Sequence, residues 1–286
     1  MATGFATNGK AYAVTSGRES AFSLTVDNGK TWNQLSLIDN TISFIVDLAV
    51  PLNYGGTLFL LTFDAQHLVH SLWRSITGGI QWERVFTSTP PEIDELGLVK
   101  VSPQYGAGSQ VLFLAGTGNG SPVIWKSVDN GQSFTALSVP LPVDAWAVAS
   151  NEILFFGSFD GSEGRVYRLA NGNLFPAGGA AVGSQPVSSV VVSPGYHSDQ
   201  TVLAGNTTGR VYCSSDNGTS FWALGDQLPL VSGIGEVSVI FALPSASTRP
   251  STPPVRVKSS PITRSESTAS SSVRATRGRA SPVACR

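Results

Sequence analysis

Ser127-Val128-Asp129-Asn130-Gly131-Gln132-Ser133-Phe134 decides how this chain is read, because the chain writes it again. Thr25-Val26-Asp27-Asn28-Gly29-Lys30-Thr31-Trp32 and Ser214-Ser215-Asp216-Asn217-Gly218-Thr219-Ser220-Phe221 carry the same pattern. Two degenerate copies lie between them, Ser75-Ile76-Thr77-Gly78-Gly79-Ile80-Gln81-Trp82 and Ala170-Asn171-Gly172-Asn173-Leu174-Phe175. The anchors Asn28, Gly78, Asn130, Asn171 and Asn217 are 50, 52, 41 and 46 residues apart. A period in that range marks a repeat architecture. Asn-Gly and Gly-Gly supply the positive φ of a tight hairpin connection, and the Asp accepts hydrogen bonds from its own turn. The aromatic residue that closes each copy opens the next strand and is placed to wedge between sheets.

Around each turn the chain reads as four short strands. In the clearest unit these are 187–193, 201–205, 210–214 and 221–225, with apolar and β-branched residues between turn signals. The frame recurs at 98–138, at 42–87 and more tersely at 144–176. Four antiparallel strands joined by hairpins make one propeller blade. The expected fold is therefore all-β, a β-propeller of about five blades. Residues 9–36 supply three strands and 237–243 a single first strand. Strand 237–243 would complete the first blade by pairing with Lys10 to Thr15 and close the ring. The alternative is an incomplete larger ring.

These residues resemble the Asp box, S/T-x-D-x-G-x-T/S-W/F, of the bacterial-neuraminidase-repeat (BNR) propellers, over roughly residues 9–243. The resemblance implies structural roles for Asp27, Gly29 and Trp32, for Gly79 and Trp82, and for Asp129, Gly131 and Phe134. It implies the same for Gly172 and Phe175, and for Asp216, Gly218 and Phe221. In that family the box is an outer turn of the blade, away from the axial cleft, and is not catalytic. The wider superfamily includes sialidases, photosystem II assembly factors and sortilin-like receptors. It implies an extracytoplasmic or secreted protein, although the first ten residues have no basic or apolar signal-peptide pattern.

The net charge of −1 conceals a break, since residues beyond 244 hold 8 of the 18 Lys and Arg but one of the 19 Asp and Glu. The acidic body argues against nucleic-acid binding. Residues 1–244 are expected to form the propeller, and 245–286, rich in Ser, Thr, Pro and Arg, a disordered tail. Because the pattern breaks inside a repeat, a frameshifted or truncated copy is an alternative reading of the tail. Two cysteines, Cys213 and Cys285, are too few to suggest a disulfide framework or a metal-ligand cluster, and the three histidines complete no zinc spacing with them. No metal and no cofactor is expected. No apolar run reaches the ~18 residues of a membrane span.

If the repeat turns join third to fourth strands, the loops between second and third strands open on the opposite rim, beside the links from blade to blade. Those segments hold Arg18, Glu19, Asp64, His67, His70, Asn119, Asp160, Glu163 and Asn206, and the links add Glu92, Asp94, Glu95 and Asp144. This polar, mostly acidic rim is the candidate ligand-binding surface. The expected activity is recognition of a protein, peptide or glycan by a monomeric, non-enzymatic propeller. The alternative is a glycoside hydrolase, xyloglucanase-like or sialidase-like, with carboxylates in the axial cleft.

The chain departs from the sialidase pattern. That chemistry clamps a carboxylate with three arginines, and no Phe/Tyr-Arg-Ile-Pro motif is present. Arg74, Arg168 and Arg210 are at or beside third strands, where a charged residue is expected to face solvent. An inverting hydrolase needs two carboxylates about 6.5–9.5 Å apart. Asp64 and Asp160 are conceivable partners, but nothing in their local sequence marks them. The Asp-box xyloglucanases also carry two propellers, more than this length can hold.

Overall fold

The computed structural model describes residues 9–15, 21–37, 42–52, 55–88, 92–227, 239–242 and 255–258. Among them the chain is almost wholly β. Four sheets have four antiparallel strands. These are β4 (Phe44–Ala49) to β7 (Glu83–Thr87), and β8 (Glu95–Val101) to β11 (Thr135–Ser138). They continue with β12 (Ala145–Val148) to β15 (Asn173–Ala181), and β16 (Val187–Val192) to β19 (Trp222–Ala223). Between these ends lie β5 (Leu58–Asp64), β6 (Val69–Ser75), β9 (Leu112–Gly118), β10 (Ser121–Ser127), β13 (Ile153–Phe159), β14 (Gly164–Ala170), β17 (Val202–Asn206) and β18 (Val211–Ser214). Within each sheet the strands lie side by side in chain order, the arrangement of a propeller blade. The one helix among the described residues is a single turn, α1 (Tyr196–Asp199).

Burial is high in the inner strands of each four-stranded sheet and drops at the fourth. Second strands read as unbroken apolar runs, Leu58-Phe59-Leu60-Leu61 and Leu112-Phe113-Leu114-Ala115, and every one of these residues is buried. A strand covered on both faces loses the usual apolar–polar alternation. Fourth strands such as Glu83–Thr87 and Thr135–Ser138 are mostly exposed.

The chain divides into two compact units, residues 1–143 with 148–153, and 144–147 with 154–286. In the first, Phe59, Leu61 and Leu72 pack against Leu96, Val99, Leu112 and Leu114 of the following sheet, and Phe59 meets Tyr105 edge-on at 5.5 Å. In the second, Phe155 meets Tyr196 edge-on at 5.6 Å, the equivalent contact one repeat pair later.

The repeat turns adopt the expected geometry. Asn28, Asn130, Asn171 and Asn217 and the glycines after them all have positive φ, as do Gly78 and Gly79. At 127–133, Ser127 Oγ donates to Asp129 Oδ1 at 2.8 Å and accepts from Gly131 N at 2.9 Å. Ser133 donates its N–H to Oδ1 at 2.9 Å and its hydroxyl to Oδ2 at 2.5 Å. The same set recurs around Asp27 and Asp216. In the degenerate copy Thr77 replaces the Asp, and its Oγ1 accepts from Gln81 N at 2.9 Å.

Two Ser-Pro-x-Tyr segments, Ser102-Pro103-Gln104-Tyr105 and Ser193-Pro194-Gly195-Tyr196, have a role that the sequence did not reveal. Tyr105 and Tyr196 hydroxyls donate to the side-chain oxygens of Asn130 and Asn217, tying each first loop to the repeat turn of its own sheet.

Three expectations change. Trp32 and Phe175 are 45% and 48% exposed, so these rings do not fill a core. Arg74 and Arg168 do not face solvent. Arg74 donates to the Asn130 carbonyl and Arg168 to the Asn217 carbonyl, each reaching the repeat turn of the following sheet, and Arg74's side chain is 13% exposed. A guanidinium can satisfy a turn carbonyl while its stem covers apolar surface. Finally, β20 (Val239–Ala242) pairs with β21 (Val255–Lys258), while β1 (Ala11–Thr15), β2 (Ala21–Thr25) and β3 (Asn33–Leu37) stand as a sheet of three. The ribbon places a strand, Val255–Lys258, where composition suggests none. The rest of the tail lies outside the described residues.

Each box carboxylate is held ionised by its turn. The Ser133 hydroxyl and N–H bring Asp129 down to about 2, and Thr31 does the same for Asp27. A carboxyl whose folded pKa is depressed stabilises the fold above its unfolded value, and that stability disappears as pH falls. The turn contribution is therefore intact at neutral pH and is lost between about pH 4 and pH 2. Asp129→Ala is expected to lower stability by about 1–2 kcal/mol through lost hydrogen bonds. It should also flatten the acid limb of the melting profile, and an unchanged acid limb would show that the turn bonds do not matter.

Candidate ligand-binding rim

The loops between second and third strands share a construction. Asp64 Oδ1 accepts from Gln66 N at 2.9 Å, and Asp160 Oδ1 from Ser162 N at 2.9 Å and Glu163 N at 2.7 Å. Asn206 Oδ1 accepts from Thr208 N at 3.2 Å and Arg210 N at 2.9 Å. Each is an Asx-type cap that replaces backbone bonds lost where the chain reverses. Asn119 turns its hairpin with φ of 51°. Asn206 is 2% exposed and engaged in its own loop, so it leaves the list of ligand-facing residues. At 160 and 206 the available signal was an Asp or Asn followed within four residues by Gly, Ser or Thr; Asp64, followed by Ala65-Gln66-His67-Leu68, carries no such signal.

Several candidates come together in the first unit. Asp94 N donates to the Thr117 carbonyl at 2.9 Å, and Asp94 Oδ2 accepts from Gly120 N at 2.7 Å, which sets the 92–95 segment beside the Asn119 hairpin. Leu96 N donates to His70 Nε2 at 3.3 Å, bringing His70 next to Glu95. Glu95 is the first residue of β8 and not part of the connection. Glu92, Asp94, Glu95 and Asn119 are exposed, and His70 is 4% exposed. Asp64 and His67 pair with each other at 2.6 Å at the tip of the β5–β6 hairpin. In the second unit, Arg165 binds Asp160 at 2.5 Å and Glu163 at 2.9 Å. Arg18 and Glu19 lie outside the described residues.

The charges divide into two kinds. The His67 ring lowers the Asp64 carboxyl, and Arg165 lowers Asp160 strongly. Burial raises Asp144, offset only in part by a bond from the Phe159 backbone. Asp47, on β4, was not a candidate. Burial raises it too, and it links two sheets by accepting Val99 N at 2.8 Å. Its signal was a carboxylate inside an apolar strand, Ile45-Val46-Asp47-Leu48. Among the described residues no group of three or more His, Cys, Asp or Glu is placed to hold a metal, and no helix is long and apolar enough to cross a membrane.

No family model matches the chain, and no curated protein matches it in sequence. Solved structures do match. The GH74 xyloglucanase of Xanthomonas campestris superposes with a TM-score of 0.59 at 16% identity, over 82% of this chain and 40% of the enzyme. The GH74 enzyme of Niastella koreensis gives 0.54 at 21%, over 75% of this chain and 36% of the other. TolB of Acinetobacter baumannii gives 0.51 at 13%, over 73% and 50%. The chain thus spans half or less of these proteins. At such identities the likeness defines the fold, a β-propeller, and not the activity.

Proposed function

We propose that this chain is a non-enzymatic Asp-box propeller, residues 1–244, that binds a protein, peptide or glycan through the rim formed by the loops between second and third strands and the adjoining links between sheets. The observation that carries this reading is the state of the rim carboxylates. Asp64 and Asp160 each cap their own turn and hydrogen-bond a nearby side chain, the His67 ring and the Arg165 guanidinium, which lower both carboxyls and hold them ionised. Hydrolysis of a glycoside needs one carboxyl kept protonated near neutral pH opposite a second carboxylate. Paired, depressed carboxylates suit a fixed polar surface better. Glu92, Asp94 and Glu95, exposed beside the Asn119 hairpin, then form an acidic patch for a cationic or hydroxyl-rich ligand. The repeated bond set around Asp27, Asp129 and Asp216 supports the Asp-box assignment.

One observation favours the hydrolase reading, the raised carboxyl of Asp144, which has the character of a general acid. The test is to screen the purified chain against a glycan array and a peptide library, alongside xyloglucan and a fluorogenic sialoside. Binding that weakens at least about tenfold in Glu92→Gln/Glu95→Gln, about 1.4 kcal/mol, supports the rim. Sugar release abolished by Asp144→Asn would replace the binding reading with the hydrolase.

A further inference from the structure

We propose that His70 is a pH-sensitive latch between the β4–β7 and β8–β11 sheets, holding the 92–95 segment in place while its ring is neutral. The geometry defines the tautomer. Leu96 N–H donates to Nε2, so Nε2 carries the lone pair and the proton is on Nδ1. Nδ1 is buried and has no hydrogen-bond partner among the described residues. The backbone of His70 is clamped at the same point, since His70 N donates to Ser88 Oγ at 2.8 Å and Ser88 N to the His70 carbonyl at 2.9 Å. One residue thus fixes the end of β7 and the start of β8, the two sides of the link that carries Glu92 and Asp94 and leads into Glu95.

Protonation disables the latch. A second ring proton would occupy Nε2, where the Leu96 N–H already points, and two donors would face each other. The imidazolium would also be enclosed, because the residue is 4% exposed. The charges around it are few. Glu95 on β8 favours the cation, and the Phe63 ring from β5, centred 4.5 Å away, gives a cation a π face. Asp94 is engaged with Gly120, Asp64 and His67 bind each other at the hairpin tip, and the end of β7 offers only Thr87 and Ser88. Burial outweighs Glu95, and the ring is pushed below the ordinary value of 6.5. A histidine depressed in the fold stabilises it above the unfolded value, and that stability is lost as pH falls. The latch is therefore closed at neutral pH and opens below about pH 6.5.

The inference stands whatever the rim binds, and it is tested on the full chain. Long-range proton–nitrogen spectra of the wild type should show His70 as the Nδ1–H tautomer, titrating below 6.5. The exchange protection of the Leu96 amide should fall severalfold, up to about tenfold, between about pH 7.5 and pH 5.5. The melting temperature should drop over the same range. In His70→Gln, whose side-chain oxygen can still accept from Leu96 N, that pH dependence should vanish, while His67→Gln should retain it. An Nε2–H tautomer, a midpoint at or above 6.5, or equal pH slopes in wild type and His70→Gln would each overturn the proposal. The spectra of the wild type decide the matter even if the variant does not fold.

Discussion

Replacing Phe59 with alanine is expected to lower the unfolding free energy by about 3–5 kcal/mol, the range for deleting a buried aromatic ring. The ring is fully buried, belongs to the cluster joining the second and third sheets, and contacts Tyr105 edge-on. Its loss leaves a cavity lined by residues of two sheets, each tied into its own strand ladder and unable to collapse into the space. Trp32→Ala is the control. That indole is larger but 45% exposed, and its truncation should cost about 1 kcal/mol or less. Chemical denaturation of both variants checks the pair. Equal losses would mean that the repeat turn, and not the second strand, carries the core.

Gly116→Ala should be the second severe change, destabilising by about 3 kcal/mol, the upper end of the overpacking range. A Cβ at Gly116 would lie 1.9 Å from the Glu95 carbonyl oxygen and 2.9 Å from Leu96 Cα. Both are backbone atoms, so no rotamer change relieves the clash. The crowding arises where β8 shifts register against β9 between Leu96 and Leu98, a bulge that turns the strand at the rim. Gly97, inside the same bulge, has nothing within 4 Å of an added Cβ, and Gly97→Ala should be nearly neutral. Because Gly116 supports the strand that begins at Glu95, its alanine variant should also disturb the His70–Leu96 bond, visible as faster exchange of the Leu96 amide. Similar stabilities for the two alanine variants would argue against a sterically fixed bulge.

How much of the rim was legible is best seen in particular residues. Asp64 and Asp160 read in the sequence as loop carboxylates; the structure places Asp64 at the last position of β5 and Asp160 just past β13. That each would be used up by its own turn depends on His67 and Arg165 folding back onto them. Asp47 was missed because its partner, the Val99 N–H, is 52 residues away and joins it only when two sheets stack. Arg74 and Arg168 were misplaced for the same reason, since the carbonyls they reach belong to the next repeat.

The sequence by itself determined the architecture. The period of the Asn-Gly turns, the positive φ they require and the apolar second strands are local properties, and local chemistry is written in consecutive residues. The tertiary structure alone decided which aromatic rings are buried, with Phe59 inside and Trp32 half outside, because burial depends on what the neighbouring sheet covers. It alone decided that the strand at Val239–Ala242 pairs with Val255–Lys258. A strand edge carries the same unpaired N–H and C=O groups whatever its sequence, so its partner is chosen by proximity in the folded chain and not by the residues of the edge.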